Sequence, residues 1–542
     1  MARTPLDSIR QAIARRRGIS VTPGGNTARA DASGPGVGGA SSAGAKGGRI
    51  ENGLFPASHT AEELARIQEL SRKNATGPAD PGRVRAERAE RRRNRQPGPV
   101  RRMVDAWWNR LIGGIYQGSL SAQEAEYEEH ATRRDYLWNT LGTAVWGMVF
   151  PVLTIVGTQL AGAEEAGMFS MAFVTGTLIM IACNYGVRNF QVSDIDEKTS
   201  FSSYQLNRWI CGALALACGL AYSALRGYSG QMATIALGVY IYKVVDGVAD
   251  VYEGRLQQAD KLYLAGMSQT LRSAAAIAVF SVVLFLFRNM AVASMAMGIA
   301  TVATLVLVTG PLALLETEKS RRVSLAEVAR LFRQCLPLFG ALFLFNLIES
   351  MPKFVMEGAL AYKNQLYFNA LYFPAQGILL AIGFVYKPQL LRLSNIWANP
   401  AQRGKFDKIV IAVLALVVAI TLGVGAFMGW IGIDIMSLMY GLDFDRYRTL
   451  AYLMVAAGGV TAAIDFLYAI ITVLRHADDV IRIYLICFAA SVAAPLVLVN
   501  LLELTGAVVS YLAVMVLLLV LLVLEYRRIR QRIEHARNPF GR

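Results

Sequence analysis

One apolar stretch of the sequence carries four polar side chains at helical spacing. In NLIESMPKFVMEGALA, residues 346–361, the spacing of Asn346, Glu349, Lys353 and Glu357 places all four on one face of a helix. A charge near the centre of a bilayer costs at least ~2.5–3.5 kcal/mol. The stripe therefore faces a partner helix or a wet cavity, where it could bind a charged molecule. The alternative is that Lys353 reaches the outer interface along its aliphatic stem.

A second polar stripe occupies the cytoplasmic half of the fourth predicted span. Lys243, Asp246, Asp250 and Glu253 again follow helical spacing. They line the cavity, or they cap the helix end and form surface pairs.

The tenth predicted span carries a lone acid, Asp465, within GGVTAAIDFLYAIITVL. An ionisable residue inside the membrane is a functional candidate by default. The alternative is that Asp465 is neutral or pairs with a cation of another helix, for which Arg188 and Arg272 are the candidates.

The composition determines the kind of helix that positions these residues. The chain has 542 residues, of which 54% are hydrophobic and 17% charged, with a mean hydropathy of +0.39. A soluble domain has about 25% charged residues. Continuous apolar runs of about 20 residues are typical of spanning helices and unlike the alternation of a membrane β-barrel. We predict an all-α polytopic membrane protein of about twelve helices, starting near residues 137, 166, 206, 230, 264, 291, 336, 365, 407, 447, 481 and 504.

The loops leave no room for a catalytic domain. The sequence has no phosphate-binding loop, no metal-ligand spacing and no nucleophile elbow, so we predict neither an enzyme nor a bound cofactor. Glu164 and Glu165, in the first outer loop, are the one faint match to the acids of a membrane glycan transferase.

Residues 1–98 differ in composition from the rest. They are rich in Gly, Ala, Ser, Pro and Arg, and residues 1–110 carry 21 Lys or Arg against 10 Asp or Glu. This predicts a disordered basic tail. Within residues 99–134, the stretch VRRMVDAWWNRLIGGIY predicts an amphipathic helix, lying either on an anionic leaflet or on the protein's own cytoplasmic face. The tail contains no folded nucleic-acid-binding module, so we predict no nucleic-acid partner.

The distribution of basic residues predicts the orientation. Lys and Arg concentrate in alternate loops and in the C-terminal tail, residues 527–542. By the positive-inside rule both termini are cytoplasmic, which requires an even number of spans. The predicted lobes are residues 135–315 and 336–526, and residues 316–335 form a basic cytoplasmic linker between them.

A weak internal repeat supports two six-helix lobes. An offset of 199 residues aligns the second span with the eighth, pairing Phe173 with Tyr372 and Arg188 with Lys387. An offset near six spans indicates parallel repeats related by an axis along the membrane normal.

The seventh and eighth spans carry a resemblance to a known family. The segments PKF (352–354), YFNALYFPAQGILL (367–380) and FVYKPQLLRL (384–393) resemble polysaccharide transporters related to O-antigen flippases. These belong to the multidrug/oligosaccharidyl-lipid/polysaccharide (MOP) flippase superfamily, and the resemblance covers residues 135–530. Family members have a Pro-Lys-aromatic in the seventh helix and a basic-Pro pair closing the eighth, here Pro352-Lys353-Phe354 and Lys387-Pro388.

The resemblance implies two six-helix lobes around a central cavity in the bacterial cytoplasmic membrane. It implies alternating access and translocation of an undecaprenyl-pyrophosphate-linked oligosaccharide for surface polysaccharide biosynthesis. Cavity cations would hold the pyrophosphate; the candidates are Lys353, Arg188, Arg272 and Lys387. Ion pairs that change between states, with H⁺ or Na⁺ as the coupling ion, would involve Asn346, Glu349, Glu357, Asp465, Lys243, Asp246 and Asp250.

Three alternatives stay open at this point. One is a multidrug exporter of the same superfamily, and another is a lipid II flippase, which usually has more than twelve helices. The third is a membrane glycan polymerase or transferase. The added tail suggests binding of polysaccharide biosynthesis proteins.

Overall fold

The backbone is helical nearly throughout the part of the chain that the structure describes. The computed structural model describes residues 124–194, 197–387, 390, 393, 396–397, 403–474 and 477–537. The predicted basic tail and most of the predicted juxtamembrane segment lie outside these residues. Long helices suit a chain that spans a bilayer, because each backbone N–H and C=O is satisfied within its own segment.

Eleven described helices are long and apolar enough to cross a membrane. The last, Ala477–Arg537, consists of two helices joined at Glu503, whose φ of 54° and ψ of −130° are not helical. Counting its two parts separately gives twelve helices and confirms the predicted fold class. We number them in chain order as α1 Glu124–Ala161, α2 Ala163–Ser193, α3 Phe201–Leu225, α4 Gly230–Gln258, α5 Leu262–Phe287, α6 Met290–Glu316, α7 Leu325–Ala359, α8 Lys363–Tyr386, α9 Arg403–Tyr440, α10 Asp445–Val473, with α11 and α12 before and after Glu503.

Helix α7 begins earlier than the sequence analysis predicts. Val328, Leu331 and Cys335 are buried at helical spacing within its first turns. This amphipathic stripe extends the helix into the predicted basic linker. The basic residues of the linker made it look like a loop because they occupy the other faces of these turns.

The helices pack in the same pattern in the two halves of the chain. In the first half, α1 packs on α5, and α4 packs on α2 and α6. In the second half, α8 packs on α10, while α7 and α10 pack on the α11–α12 element. The halves meet where α2 packs on α7 and α8 and where α3 packs on α7. Helices α1–α6 and α7–α12 are called the N-lobe and the C-lobe below.

The two lobes approach each other closely at the end that is predicted to face outward, called the predicted outer end below. A Cβ on Gly167 of α2 would lie 2.0 Å from the carbonyl oxygen of Tyr362, so only glycine permits this approach. Beside it, the Glu164 carboxylate accepts hydrogen bonds from the backbone N–H groups of Tyr362 and Lys363, both at 3.1 Å. These contacts join the start of α2 to the start of α8.

Candidate functional site

Helix α2 breaks near its C-terminal end, and the break positions the first candidate residue. Tyr185 and Gly186 have φ values of 48° and 67° and separate the segment Ala163–Asn184 from Val187–Ser193. A left-handed conformation at a non-glycine residue costs about 1–3 kcal/mol and clusters at functional sites. Arg188 lies in the first turn after the break. The apolar run of the second span predicts a continuous helix, although Asn184 and Gly186 are residues that end helices.

Two arginines share one carboxylate beside this break. Arg188 donates to Asp250 Oδ1 at 2.5 Å and to Gln257 Oε1 at 3.0 Å. Arg208 of α3 donates to Asp250 Oδ2 at 2.8 Å and to Asn184 Oδ1 at 2.9 Å. The Arg208 side chain is fully buried, whereas 33% of the Arg188 side chain is exposed. Arg188 is thus held rigidly by Asp250 while part of its guanidinium stays accessible.

The accessible part of Arg188 borders a polar cavity of about 210 Å³ between the lobes. Asn184, Asn189 and Asp250 line it from the N-lobe, and Asn346 and Phe339 line it from α7. Three predicted residues, Arg188, Asp250 and Asn346, therefore meet at one cavity. Amide groups around a guanidinium can hydrogen-bond the oxygens of an anion that pairs with the cation.

Arg272 is a predicted anion ligand that the structure does not place at this cavity. It is buried, donating to Asp246 Oδ1 at 2.8 Å and to Glu253 Oε1 at 2.6 Å. Trp146 of α1 donates from Nε1 to the other oxygen of Asp246 at 2.5 Å. The charged groups of Arg272 and Asp246 bind each other and their neighbours in this network, so neither faces the cavity around Arg188. The surface-pair alternative for the α4 stripe is also wrong, because these groups are buried inside the N-lobe.

Lys243, in the same stripe, faces aromatic rings. Its side chain is buried, and Nζ lies 3.9 Å from the ring centroid of Phe173 and 5.6 Å from that of Trp146. A cation over a ring face is stabilised by the ring quadrupole. The charged residues of this N-lobe set comprise three arginines and three acids, which balance each other: Arg188, Arg208 and Arg272 with Asp250, Asp246 and Glu253. Lys243 therefore gives the set one excess positive charge.

The polar stripe of α7 is divided between the two lobes. Glu357 reaches the N-lobe, where Arg226 pairs with it at 3.0 Å and Tyr222 donates to it at 2.6 Å. Glu349 stays in the C-lobe and accepts hydrogen bonds from Tyr372 and Tyr511. Neither acid forms an ion pair with Lys353 in the part of the chain that the structure describes, although their spacing places all three on one helix face.

Lys353 points into the C-lobe. It is 7% exposed, and Nζ lies 5.3 Å from the ring centroid of Tyr372 and 5.6 Å from that of Phe368. The alternative in which Lys353 reaches the outer interface is wrong, because its ammonium group is buried against α8. In this state Lys353 does not line the polar cavity around Arg188.

Asp465 pairs within its own lobe. It accepts a hydrogen bond from Tyr386 Oη at 2.7 Å, and Lys387 Nζ lies 3.8 Å from Oδ2. Neither Arg188 nor Arg272, the partners that the sequence suggested, contacts it. The side chains of Lys387 and Asp465 are 62% and 39% exposed, so both remain accessible.

The two lobes place one acid–cation pair at equivalent positions. Arg188 follows the break in α2 and pairs with α4, which packs on α2. Lys387 follows α8 and pairs with α10, which packs on α8. The offset of 199 residues aligned the two cations. In the structure each cation pairs with an acid that lies two helices further along the chain.

Further polar contacts join the lobes at the predicted outer end. Gln159 of α1 donates to the carbonyl oxygen of Met439 at 2.9 Å, and Thr154 lies 3.4 Å from the hydroxyl of Tyr440. Together with Arg226–Glu357 and the contact between Glu164 and the start of α8, they hold the lobes together at this end.

Arg208 is the main residue that sequence reasoning missed. The third span was predicted to start near residue 206, so Arg208 lay at its edge and was not considered as a cation inside the membrane. The helix starts at Phe201, where the Ser200 hydroxyl accepts a hydrogen bond from the N–H of Ser203 at 3.2 Å. This Ser-x-x-Ser start is the signal that would have placed Arg208 inside the span.

Comparisons with solved structures agree with this architecture. The chain is similar to an inward-facing multidrug resistance MATE family transporter of the MOP superfamily, with a TM-score of 0.52 and 12% identity over 74% of this chain and 100% of that one. It also matches a MOP superfamily transporter from Pyrococcus furiosus that was described as having a binding pocket of reverse polarity, with a TM-score of 0.48 and 13% identity over 75% of this chain and 96% of that one. No protein-family model matches the sequence. No curated protein matches it either.

The chain is therefore a multi-pass membrane protein with a MATE-like fold.

Proposed function

We propose that the chain translocates an undecaprenyl-pyrophosphate-linked oligosaccharide across the bacterial cytoplasmic membrane for surface polysaccharide biosynthesis. The observation that carries the proposal is Arg188, a braced and partly accessible guanidinium on a polar cavity between two lobes. An anion that crosses hydrocarbon must be neutralised locally. Arginine suits this role because its planar fork matches phosphate oxygens.

The contacts between the lobes support alternating access. Glu164, Gln159 and Arg226 join the lobes at the predicted outer end. The positive-inside rule predicts that this end faces outward, with both termini in the cytoplasm. In this state the substrate enters from the cytoplasmic side, and breaking the outer contacts releases it. Asp465 and Glu349, which accept hydrogen bonds from tyrosines, are the candidate groups for coupling to H⁺ or Na⁺.

Lys353 takes part only if the lobes move. It is buried against Tyr372 in the structure, so we assign it a role in the state that opens outward, where α7 would shift relative to α8. The basic tail, residues 1–98, is proposed to bind polysaccharide biosynthesis proteins.

Depleted cells test the proposal. Mass spectrometry of undecaprenyl-linked glycans is combined with an impermeant probe that reports their leaflet. Completed units trapped on the inner leaflet are the expected result. Normal units on the outer leaflet would contradict it and indicate a polymerase, a transferase or drug export.

A multidrug exporter is the second candidate, favoured by an apolar cavity of about 630 Å³ between α2, α3 and α7. It predicts drug sensitivity on depletion with normal surface glycan. The excess positive charge of the N-lobe set disfavours cationic drugs.

A further inference from the structure

We propose that the apolar cavity between α2, α3 and α7 is a binding groove for the hydrocarbon chain of the lipid whose phosphate is held at Arg188. This inference rests on the proposed function and specifies how the carrier lipid is bound.

The groove is apolar along most of its length. It is about 630 Å³ in volume, and its walls include Ala215 and Cys218 of α3 and Phe343, Leu347 and Phe354 of α7. Its one charged lining residue is Arg226, which pairs with Glu357 at the predicted outer end. An apolar space of this kind gains free energy by enclosing hydrocarbon.

The length of the groove matches that of a bilayer. Lining residues of α7 extend from Phe332 to Phe354. At a rise of about 1.5 Å per residue this part of the helix is about 33 Å long, close to the ~30 Å of the hydrocarbon core. On the α3 side the groove has an open edge, where Leu214 is 59% exposed and Cys218 is exposed. A chain can enter sideways there.

The groove and the polar cavity share a wall. Phe339 of α7 lines both. Its ring stacks on Tyr185 at a centroid distance of 4.5 Å, and Tyr185 lies at the break of α2 that positions Arg188. The polar cavity, which is bordered by the Arg188 guanidinium, thus adjoins the long apolar groove across one aromatic contact. That arrangement matches a molecule with an anionic head and a hydrocarbon chain, whereas a soluble anion would leave the groove unfilled.

Cys218 provides a native reporter for occupancy. It is exposed on the groove, whereas Cys183, Cys211, Cys335 and Cys487 are buried. The full-length protein is reconstituted into phosphatidylethanolamine vesicles and treated with a lipid-soluble maleimide, and peptide mass spectrometry gives the labelling rate of each cysteine. The probe is undecaprenyl phosphate. Undecaprenol and phosphatidylglycerol separate the contribution of the phosphate from that of any bilayer lipid.

We expect undecaprenyl phosphate to slow the labelling of Cys218, and undecaprenol and phosphatidylglycerol to have little effect. Arg188→Gln should require about tenfold more probe for the same protection, the effect of losing a charge-assisted hydrogen bond. Arg188→Lys keeps the charge, so the concentration of probe that it requires should lie between those of the wild type and Arg188→Gln. Lys405→Gln, at an exposed cation near the start of α9, is the matched control and should behave as the wild type. Unchanged slow labelling of Cys487 shows that each variant is folded.

Three results would overturn the proposal. Equal protection by phosphatidylglycerol or undecaprenol means that the groove holds any lipid. Protection that survives Arg188→Gln means that head and chain do not bind as proposed. If undecaprenyl phosphate does not protect Cys218 of the wild-type protein, while depleted cells do trap glycan units on the inner leaflet, the groove is ruled out and the proposed function stands. Protection that depends on Arg188, without trapped units in cells, removes the function and leaves the groove.

Discussion

The N-lobe and the C-lobe each hold one acid–cation pair at the end of an equivalent helix, but they hold it differently. Arg188 and Asp250 lie 2.5 Å apart, and buried Arg208 completes the coordination of the carboxylate. Lys387 and Asp465 lie 3.8 Å apart and are more exposed than the N-lobe pair, with Tyr386 as the closer partner of the acid.

The difference assigns separate tasks to the two lobes. Removing Asp250 would leave the fully buried Arg208 with an uncompensated charge, so the N-lobe carboxylate is held firmly in place. Water can replace either partner of an exposed pair at little cost. The N-lobe is therefore suited to present a fixed cation to a substrate. The C-lobe is suited to exchange its partners when the lobes move.

The largest expected effect comes from neutralising the two acids separately. Asp250→Asn leaves Arg188 and buried Arg208 without their carboxylate and should lower the free energy of unfolding by about 3–5 kcal/mol. Asp465→Asn, the matched variant in the C-lobe, should cost ~0–1 kcal/mol. Thermal unfolding of both purified proteins in detergent, followed by tryptophan fluorescence, measures the difference. Equal losses would remove the distinction between the lobes.

Neutralising the two cations separates their roles in transport. Arg188→Gln should lower the translocation rate of the lipid-linked substrate at least about tenfold, because a charge-assisted hydrogen bond is worth ~1.5–3 kcal/mol. Lys387→Gln should lower it no more than about fivefold, which corresponds to ~1 kcal/mol. The measurement is leaflet accessibility of a fluorescent undecaprenyl-linked sugar in proteoliposomes. A larger effect at Lys387 would move the anion site to the C-lobe.

Removing the tyrosine of the C-lobe pair tests how Asp465 is held. Tyr386→Phe deletes the hydroxyl that donates to Asp465 at 2.7 Å. It should destabilise the protein by about 0.5–1.5 kcal/mol, and by less when Asp465→Asn is already present. Unfolding of the two single variants and the double variant gives the coupling between the side chains. Additive effects would show that the hydrogen bond contributes nothing.

Salt should produce the smallest effect. Raising the ionic strength from 0.1 to 1 M shortens the Debye length from about 10 Å to about 3 Å and screens exposed charges. The small stability difference between Asp465→Asn and the wild type should then disappear, while the deficit of Asp250→Asn should persist. Melting temperatures at the two salt concentrations provide the comparison. Equal salt sensitivity of the two variants would mean that the loss of the carboxylate partner of buried Arg208 does not dominate the cost of Asp250→Asn.

Much of the fold was predictable because a membrane-spanning helix can be identified from its local sequence. Each spanning helix needs a long apolar run, so the twelve segments are visible in the sequence. The boundary errors at α3 and α7 arose where polar residues continue a helix beyond the apolar run. The break in α2 escaped because single residues with unusual φ interrupt an otherwise apolar sequence, whereas the kink at Glu503 falls at the predicted boundary between the spans starting near residues 481 and 504.

Part of the candidate site was also predictable. The spacing of Asp250 and Asn346 within their helices marked both residues as functional, and the repeat aligned Arg188 with Lys387. The sequence did not show that Arg188, Asp250 and Asn346 lie at one cavity. That arrangement depends on the packing of α2 against α4 and α7.

The sequence by itself determined the helical membrane class and the charged residues that must avoid lipid, and it predicted the two-lobe organisation. Only the tertiary structure decided which of these charges cancel each other. Arg272 and Arg188 look alike in the sequence, yet one is enclosed by Asp246 and Glu253 while the other opens onto a cavity. The physical reason is that helical periodicity fixes the face on which a side chain lies, whereas its partner depends on which helix packs against that face.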